Sequence, residues 1–281
     1  MSGARTAAGQ RDAQGPVTPM PSATVTIVRD VRGGIEVLMM RRNLKSGFVP
    51  GMHVFPGGGV DDTDFLFKNN NLCNCLDDAA ASAVLGIGCD GLAYWAAAIR
   101  EAFEESGLLL AQDRSGAALS LADAATAQRF AEHRRRLNAG STAFPQLLQQ
   151  EELQLAADRL TYFAHWITPV GLPRRYDTRF FMAEAPEGQE PLQDEQETIG
   201  AAWVSPGEAL SRHRRGEFEM RTPTVRTLED FADYDSVASL RRGLAARRDV
   251  PVLLPRIAAD GRRILPGEPG YEEAGEEGAS R

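Results

Sequence analysis

Cysteine is scarce in this chain, whose 281 residues include three: Cys73, Cys75 and Cys89. An odd number of cysteines in a chain of this length argues against a framework of disulfide bonds and favours a reducing compartment. A C-x-C pair with one distant cysteine and no nearby histidine also lacks the full ligand set of a tetrahedral zinc site. We therefore expect free thiols.

Long apolar runs and an excess of positive charge are missing as well. No uninterrupted apolar run approaches the roughly 18 residues that a membrane span needs, and the N-terminal stretch lacks the apolar core of a signal peptide. The formal net charge is −8, so the surface as a whole does not attract a polyanion. The basic clusters at 133–136 and 212–215 lack interleaved aromatics, which predicts solvated helix faces. We expect a cytoplasmic protein without nucleic-acid or membrane partners.

The pattern of apolar residues predicts both strands and helices. The runs "ATVTIVRD" and "IEVLMMRR" flank the turn "VRGG" and predict a hairpin, and "LTYFAHWITP", "DTRFFMAEAP" and "AAWVSP" predict later strands. Helices are predicted after caps at Ser120 and Ser205, and over "FPQLLQQEELQL" and "TVRTLEDFADYDSVASLRRGLAAR". Because the elements alternate without a regular βαβ rhythm, we predict an α+β fold, an α/β/α sandwich with a mixed sheet between helices.

The ends of the chain differ in composition from its centre. Residues 1–22 are rich in Gly, Ala, Pro and Gln, and we predict a disordered arm there. Residues 272–281 form an acidic, glycine-rich tail. The predicted domain is 23–271.

The segment "DGLAYWAAAIREAFEESG" predicts a helix capped by Asp90 and ended by Gly107. At about 100° per residue, one face carries three acidic residues, Glu101, Glu104 and Glu105. These carboxylates repel one another and lie near the helix C-terminus, where the macrodipole disfavours negative charge. Such a placement needs compensation, and a hard divalent cation such as Mg²⁺ is one source. A solvated acidic face is the alternative.

Two further patterns suggest ligand contacts. The run "PGGG" places Gly57 and Gly58 after a strand-like segment, where glycine lets the backbone approach a ligand or a helix closely. Arg174 and Arg175 are candidate phosphate ligands, because a guanidinium group matches phosphate oxygens. Ordinary surface charge is the alternative for both arginines.

The glutamate helix resembles the signature of the Nudix hydrolase family, G-x5-E-x7-R-E-U-x-E-E-x-G-U, in which U is a large apolar residue. The second half is matched in register, with Ala102 at the apolar position, by Arg100, Glu101, Glu104, Glu105, Gly107 and Leu108. The first half starts at Gly58, and Asp64 replaces the first glutamate. Between Asp64 and Arg100 lie 35 residues where the signature has seven. This interrupted signature is similar to the branch that includes peroxisomal coenzyme A diphosphatases.

The resemblance implies roles for individual residues. Glu101, Glu104 and Glu105 are the expected ligands of Mg²⁺ or Mn²⁺ and the expected catalytic carboxylates. Arg100 is expected to orient them. Relatives often draw another glutamate from a loop before a late strand, as ligand or general base, and "DEQETIGAAW" offers Glu195 and Glu197, of which we prefer Glu197. A solvated acidic loop is the alternative.

The resemblance also implies an activity. We expect hydrolysis of the diphosphate bond in a nucleoside diphosphate linked to another moiety, with coenzyme A or acyl-CoA as candidate substrates. A non-catalytic nucleotide-binding regulator and an enzyme acting on ADP-ribose or dinucleotides are the alternatives. Insertions relative to the family are predicted at about 65–92 and 115–157. A homodimer is a further expectation, since dimers are common among relatives.

Overall fold

A computed structural model describes residues 16–42, 51–192 and 198–274. The strands are β1 Met20–Val31, β2 Gly34–Arg42, β3 His53–Val54, β4 Gly57–Gly59, β5 Ala111–Gln112, β6 Gln154–Leu155, β7 Leu160–Ile167, β8 Tyr176–Glu184, β9 Thr198–Val204, β10 Val252–Leu253, β11 Arg256–Ile257 and β12 Arg263–Ile264. The helices are α1 Asp78–Leu85, α2 Leu92–Ser106, α3 Ala124–Asn138, α4 Phe144–Gln150, α5 Pro206–Arg214, α6 Thr222–Phe231 and α7 Val237–Ala245, and two 3₁₀ helices cover Asp64–Asn69 and Ala157–Arg159.

The main sheet is mixed, with the strand order β10-β7-β8-β1-β2-β3. Strand β1 runs antiparallel to β2, in the predicted hairpin, and parallel to β8. The first half of β1 also pairs with β4, while β9 pairs with β2. Strand β1 is therefore central, which explains its run of β-branched and apolar residues.

Helices cover both faces of this sheet. On one face, α2, α3 and α4 contribute to a core that includes Trp95, Phe103 and Phe144. On the other, α5, α6 and α7 pack over a second core that includes Phe218 and Phe231. This arrangement confirms the predicted α/β/α sandwich. None of the helices in the described ranges combines the length and apolarity needed to cross a membrane.

The two segments predicted as insertions pack against each other. Residues 65–92 hold most of the first 3₁₀ helix and α1, and residues 115–157 hold α3, α4 and β6. The rings of Phe67 and Phe144 lie 5.9 Å apart between centroids, and the N–H of Leu155 donates to the carbonyl of Leu72 at 2.8 Å. Their status as insertions relative to the family stays a prediction.

Some predicted boundaries need correction. Strand β1 begins at Met20, inside the predicted arm 1–22, because its first residues pair with β8 and β4. The side chain that caps α3 belongs to Asp123, not Ser120, and it accepts from the N–H of Thr126 at 2.8 Å. Ser205 caps α5 as predicted. Residues 1–15 of the arm and 275–281 of the tail lie outside the described residues.

The cap predicted for α2 is also wrong. Gly91 occupies the N-cap position and provides no side chain for it. Asp90 adopts a left-handed backbone conformation with φ of 65°, and its carboxylate accepts from Lys68 Nζ at 2.6 Å. The carboxylate that binds the start of α2 comes from Asp78, which accepts from the N–H of Leu92 at 3.0 Å.

His53 links the edge of the sheet to the α5 side of the molecule. Its ring stacks on Phe218 with 3.4 Å between the ring centroids, and its backbone N–H donates to the carbonyl of Glu219. Burial of the ring lowers the pKa of His53 to about 4, and the positive charges of Arg41 and Arg212 lower it further, against the carbonyl of Glu219. The folded protein therefore keeps this imidazole neutral.

This pKa predicts a pH dependence of stability. The unfolded chain takes up a proton near the ordinary pKa of 6.5, before the folded state does. The contribution of the neutral ring is therefore complete above pH 6.5 and is lost progressively as the pH falls from 6.5 to 4. Between pH 7 and pH 5, wild type should lose about 1 kcal/mol more free energy of unfolding than His53→Gln, since solvent screens a half-buried ring. Urea denaturation at both pH values measures this difference, and parallel losses would contradict it.

Candidate active site

Helix α2 carries the predicted acidic residues and is buried on nearly all sides. Its 15 residues end at Ser106, and the cap residue Gly107 has φ of 78° and donates its N–H to the carbonyl of Phe103. Glu105 is 5% exposed, and the side chains of Glu101 and Glu104 are 14% and 23% exposed. The alternative of a solvated acidic face is therefore wrong.

Arg100 is the centre of the site. Its Nε and Nη2 donate to the two carboxylate oxygens of Asp64 at 3.1 and 2.9 Å. Its Nη1 donates to Glu101 Oε1 at 2.9 Å and to Glu104 Oε2 at 3.0 Å. Nη2 also donates to the carbonyl of Gly59 at 2.8 Å. One buried guanidinium group thus connects the first 3₁₀ helix, β4 and α2.

Burial and charge shift the pKa values of these groups in linked ways. Burial opposes the charge of Arg100, but the carboxylates of Glu101, Asp64 and Glu104 raise its pKa above the ordinary value. Burial raises the pKa of Glu104 to about 7, against the attraction of Arg100 and with the repulsion of Glu101. Burial likewise raises the pKa of Asp64, while its bonds to Arg100 oppose the shift. A cation at this cluster would favour the charged carboxylates.

The glycines of β4 allow the sheet to approach α2. The N–H of Gly57 donates to Glu105 Oε2 at 3.0 Å. A Cβ atom at Gly58 would collide with the carboxylate of Glu101, and one at Gly57 would lie 2.5 Å from the carbonyl oxygen of Ala23. Of the two options that the sequence left open, the structure shows the close approach to a helix. Substrate binding by Gly57 and Gly58 stays a prediction.

A second arginine supports the C-terminal end of α2. Arg134, in α3, donates from Nε to the carbonyl of Glu104 at 2.9 Å and from Nη2 to the carbonyl of Glu105 at 2.7 Å. Asn138 adds a bond to the carbonyl of Glu104 at 3.2 Å. This positive charge at the negative end of the helix offsets the macrodipole beneath the glutamates. The expectation that the cluster 133–136 is solvated fails for His133 and Arg134, which are buried.

The three carboxylates match a divalent cation in chemistry but not in orientation. Three carboxylates within two helical turns supply the hard oxygen ligands that Mg²⁺ and Mn²⁺ prefer. In this structure, however, Glu101 and Glu104 face Arg100, and Glu105 faces the backbone of Gly57. Across the part of the chain that is described, no three His, Cys, Asp or Glu side chains converge as ligands. The residues fit the cation in chemistry, but their oxygens point to protein donors.

The two predicted phosphate ligands, Arg174 and Arg175, directly precede β8. Arg175 is buried, and its guanidinium group donates to the carbonyls of Thr168 and Val17 at 3.0 and 2.7 Å. This structural position argues against phosphate binding by Arg175, because the group is used to hold two backbone segments. Arg174 is exposed, and its role stays a prediction. The candidates Glu195 and Glu197 lie outside the described residues.

The structure places two further acidic residues near Arg100 that the sequence did not predict as part of the site. Asp64, a weak match to the first glutamate of the signature, is fully buried against Arg100. Asp61 lies with its Oδ2 atom 4.0 Å from Arg100 Nη1 and is largely exposed. The position of Asp64 after Gly58 was a usable signal, since a shorter carboxylate can still bind a guanidinium fork.

Comparisons with known proteins identify the class. The family described as NUDT19 Nudix domain matches residues 86–230. The acyl-coenzyme A diphosphatase NUDT19 of Gallus gallus is 32% identical in an alignment that covers 85% of this chain and 73% of that protein. The protein of the same name from Homo sapiens is 27% identical over the same shares. A crystal structure of a NUDIX hydrolase from Alicyclobacillus acidocaldarius superposes with a TM-score of 0.67 at 26% identity, covering 80% of this chain and 96% of that one.

The fold and the matched signature therefore define a Nudix hydrolase. The chain belongs to this family, and within it to the family of the NUDT19 Nudix domain. The resemblance seen in the interrupted signature is thereby confirmed, together with the expectation of an enzyme.

The buried pair makes a prediction about stability. Asp64→Asn should lower the free energy of unfolding by about 3 to 5 kcal/mol, because it leaves the buried charge of Arg100 without its main partner. The matched control is Asp61→Asn, which changes an exposed residue at the edge of the same guanidinium and should cost less than about 1 kcal/mol. Urea denaturation of both variants measures the difference. Equal losses would show that the Asp64–Arg100 pair has no special weight.

The two glycines of β4 should differ in their tolerance of a methyl group. Gly57→Ala pushes a Cβ into the backbone of β1, which cannot move without disturbing the sheet, and should cost about 1 to 3 kcal/mol. Gly58→Ala meets the end of a side chain, Glu101, which can rotate away. Thermal unfolding should therefore show the lower melting temperature for Gly57→Ala. The reverse order would contradict the placement of β4.

Proposed function

We propose that this protein is a metal-dependent diphosphatase that hydrolyses the diphosphate bond of coenzyme A or acyl-CoA. The observation that carries the proposal is the placement of Glu101 and Glu104 on Arg100 and of Glu105 on the backbone of Gly57, all three at positions of the family signature. Buried carboxylates are costly unless they are paired or coordinate a metal, and one arginine is a single positive charge for the three glutamates. The curated relatives named acyl-coenzyme A diphosphatase support the choice of substrate.

Glu101, Glu104 and Glu105 would hold Mg²⁺ or Mn²⁺ in this proposal. The bound cation would neutralise the diphosphate and lower the pKa of a water molecule that attacks phosphorus. Arg100 is a positioning residue. Its bonds to Asp64 and Gly59 fix the guanidinium group, which in turn binds the carboxylates of Glu101 and Glu104. The backbone of Gly57 fixes the third.

Two further residues complete the proposed site. Glu197 would act as an additional ligand or general base, as the family resemblance implies. Arg174 is the remaining candidate for a substrate phosphate, because it is exposed while Arg175 is held by backbone carbonyls. We propose a cytoplasmic location and a homodimeric assembly for the protein.

The central test replaces one ligand. Glu104→Gln should lower kcat/KM for acyl-CoA at least about 100-fold, because the loss of one metal ligand removes several kcal/mol of transition-state stabilisation. The melting temperature should stay near that of wild type, since the amide still accepts from Arg100. The matched control is Glu132→Gln on α3, an exposed glutamate, which should leave activity unchanged. Wild-type turnover by Glu104→Gln would remove Glu104 from the site.

The substrate and the bond are tested together. The protein is incubated with acyl-CoA, coenzyme A, ADP-ribose or a dinucleotide in the presence of Mg²⁺, Mn²⁺ or a chelator. Mass spectrometry then identifies the products. Cleavage of the diphosphate in coenzyme A yields an adenosine bisphosphate and a phosphopantetheine, and the chelator should abolish it. Preferred release from ADP-ribose or the dinucleotide would reassign the substrate. Tight binding with no release across the panel would support a regulator.

A further inference from the structure

Two of the three cysteines lie in contact within the first predicted insertion. The Sγ atoms of Cys73 and Cys75 are 3.8 Å apart. Cys73 is half-buried, whereas Cys75 is exposed. The segment that carries them, 70–77, connects the first 3₁₀ helix to α1. Neither thiol belongs to the proposed active site.

We propose that Cys73 and Cys75 form a redox pair, which a hydroperoxide oxidises to an intrachain disulfide and a thiol reductant restores. The pair is a modification site that is independent of the hydrolase reaction. A soft-metal site is a poorer interpretation, because among the described side chains no third His, Cys, Asp or Glu completes a ligand cluster with these two.

The two thiols differ in a way that assigns their roles. A hydrogen bond from Cys73 lowers the pKa of Cys75 to about 7, against partial burial and the neighbouring carboxylate of Asp158. The same bond and burial raise the pKa of Cys73. Cys75 is the more exposed and the more acidic of the two thiols. In the proposal it therefore attacks once deprotonated, and Cys73 is the adjacent thiol that resolves. The distance of 3.8 Å between the two sulfur atoms allows this hydrogen bond.

The reaction balances with the peroxide as the oxidant. The Cys75 thiolate attacks a peroxide oxygen, which breaks the O–O bond, forms a sulfenic acid and releases water or an alcohol after protonation. The Cys73 sulfur then attacks the sulfur of that sulfenic acid, so that the S–S bond forms and a second water leaves. The thiols lose two electrons and two hydrogens in total, and the peroxide accepts them.

The surrounding structure holds the segment in place. The carbonyl of Leu72 accepts from the N–H of Leu155 at 2.8 Å, and Gln154 Nε2 donates to the carbonyl of Asn71 at 3.3 Å. Leu72 itself is buried in the core. Because these contacts lie just before Cys73, the chain enters the pair from a fixed position, and the two sulfur atoms need to move only locally to bond.

Cys89 provides an internal control. It is exposed and lies in the same predicted insertion, but a hydrogen bond to Asp90 and the negative charge of that carboxylate raise its pKa. Accessibility alone would therefore let Cys89 react, whereas thiolate character favours Cys75.

The test counts and locates thiols after treatment of the full-length protein with hydrogen peroxide. Wild type and Cys89→Ser should each lose two titratable thiols, show a mass lower by two hydrogens, and regain both thiols with dithiothreitol. Peptide mapping should join Cys73 to Cys75. Cys73→Ser should stop at a sulfenic acid on Cys75 that dimedone traps, and Cys75→Ser should oxidise at least about tenfold more slowly than wild type.

Two results would overturn the proposal. Retention of all three thiols under conditions that oxidise a reference peroxide-sensitive protein would show that the pair is inert. Oxidation at the same rate in wild type and Cys75→Ser would show that Cys75 is not the attacking residue. Circular dichroism identifies any serine variant that does not fold. In that case the rate of iodoacetamide alkylation at Cys75 is followed in wild type between pH 5 and 9 by peptide mapping. A midpoint no lower than that of an ordinary thiol would contradict Cys75 as the attacking residue.

Discussion

The arrangement of the site depends on one buried guanidinium group. A buried ion pair is expensive to form, and it is tolerated where hydrogen bonds satisfy the remaining donors. Arg100 meets this condition with two bonds to Asp64, one to the carbonyl of Gly59 and two to glutamates of its own helix. Since Asp64 and Gly59 lie on other elements, the same bonds that compensate the charge also dock α2 against them. The positions of the acidic groups therefore follow from folding itself.

The negative charge of the three glutamates must be offset by positive groups. The sequence predicts an external cation for this role, but the protein itself offsets part of the charge from two sides. Arg100 faces the carboxylates, and Arg134 faces the carbonyls beneath them. Such preorganisation lets the negative groups stay together before a ligand arrives. Burial still raises the pKa of Glu104 to about 7, so the positive charge of Arg100 offsets the cost of burying this carboxylate only in part.

Features that depend on short stretches of sequence were predicted well. The β1–β2 hairpin, the cap at Ser205, the left-handed end of α2 at Gly107 and the spacing of the glutamates all follow from neighbouring residues. Features that depend on distant partners were not. Asp90 has the chemistry of a cap but pairs with Lys68, 22 positions away, and Arg134 sits among exposed arginines although its side chain reaches α2. Burial distinguishes such residues, and residue type alone does not reveal it.

The long interruption of the signature illustrates how a family motif can be split while its two halves stay in contact. Lengthening a flexible connection from seven to 35 residues costs only about 1.4 kcal/mol in loop-closure entropy, and the contacts of the added residues can offset that cost. Phe67 packs on Phe144, and the N–H of Leu155 donates to the carbonyl of Leu72, so the segment between Asp64 and Arg100 makes core contacts with residues 115–157. Both ends of the interruption still meet at the Asp64–Arg100 pair. The geometry of the site is therefore set by that contact in space, and the length of the chain between its two residues is free to vary.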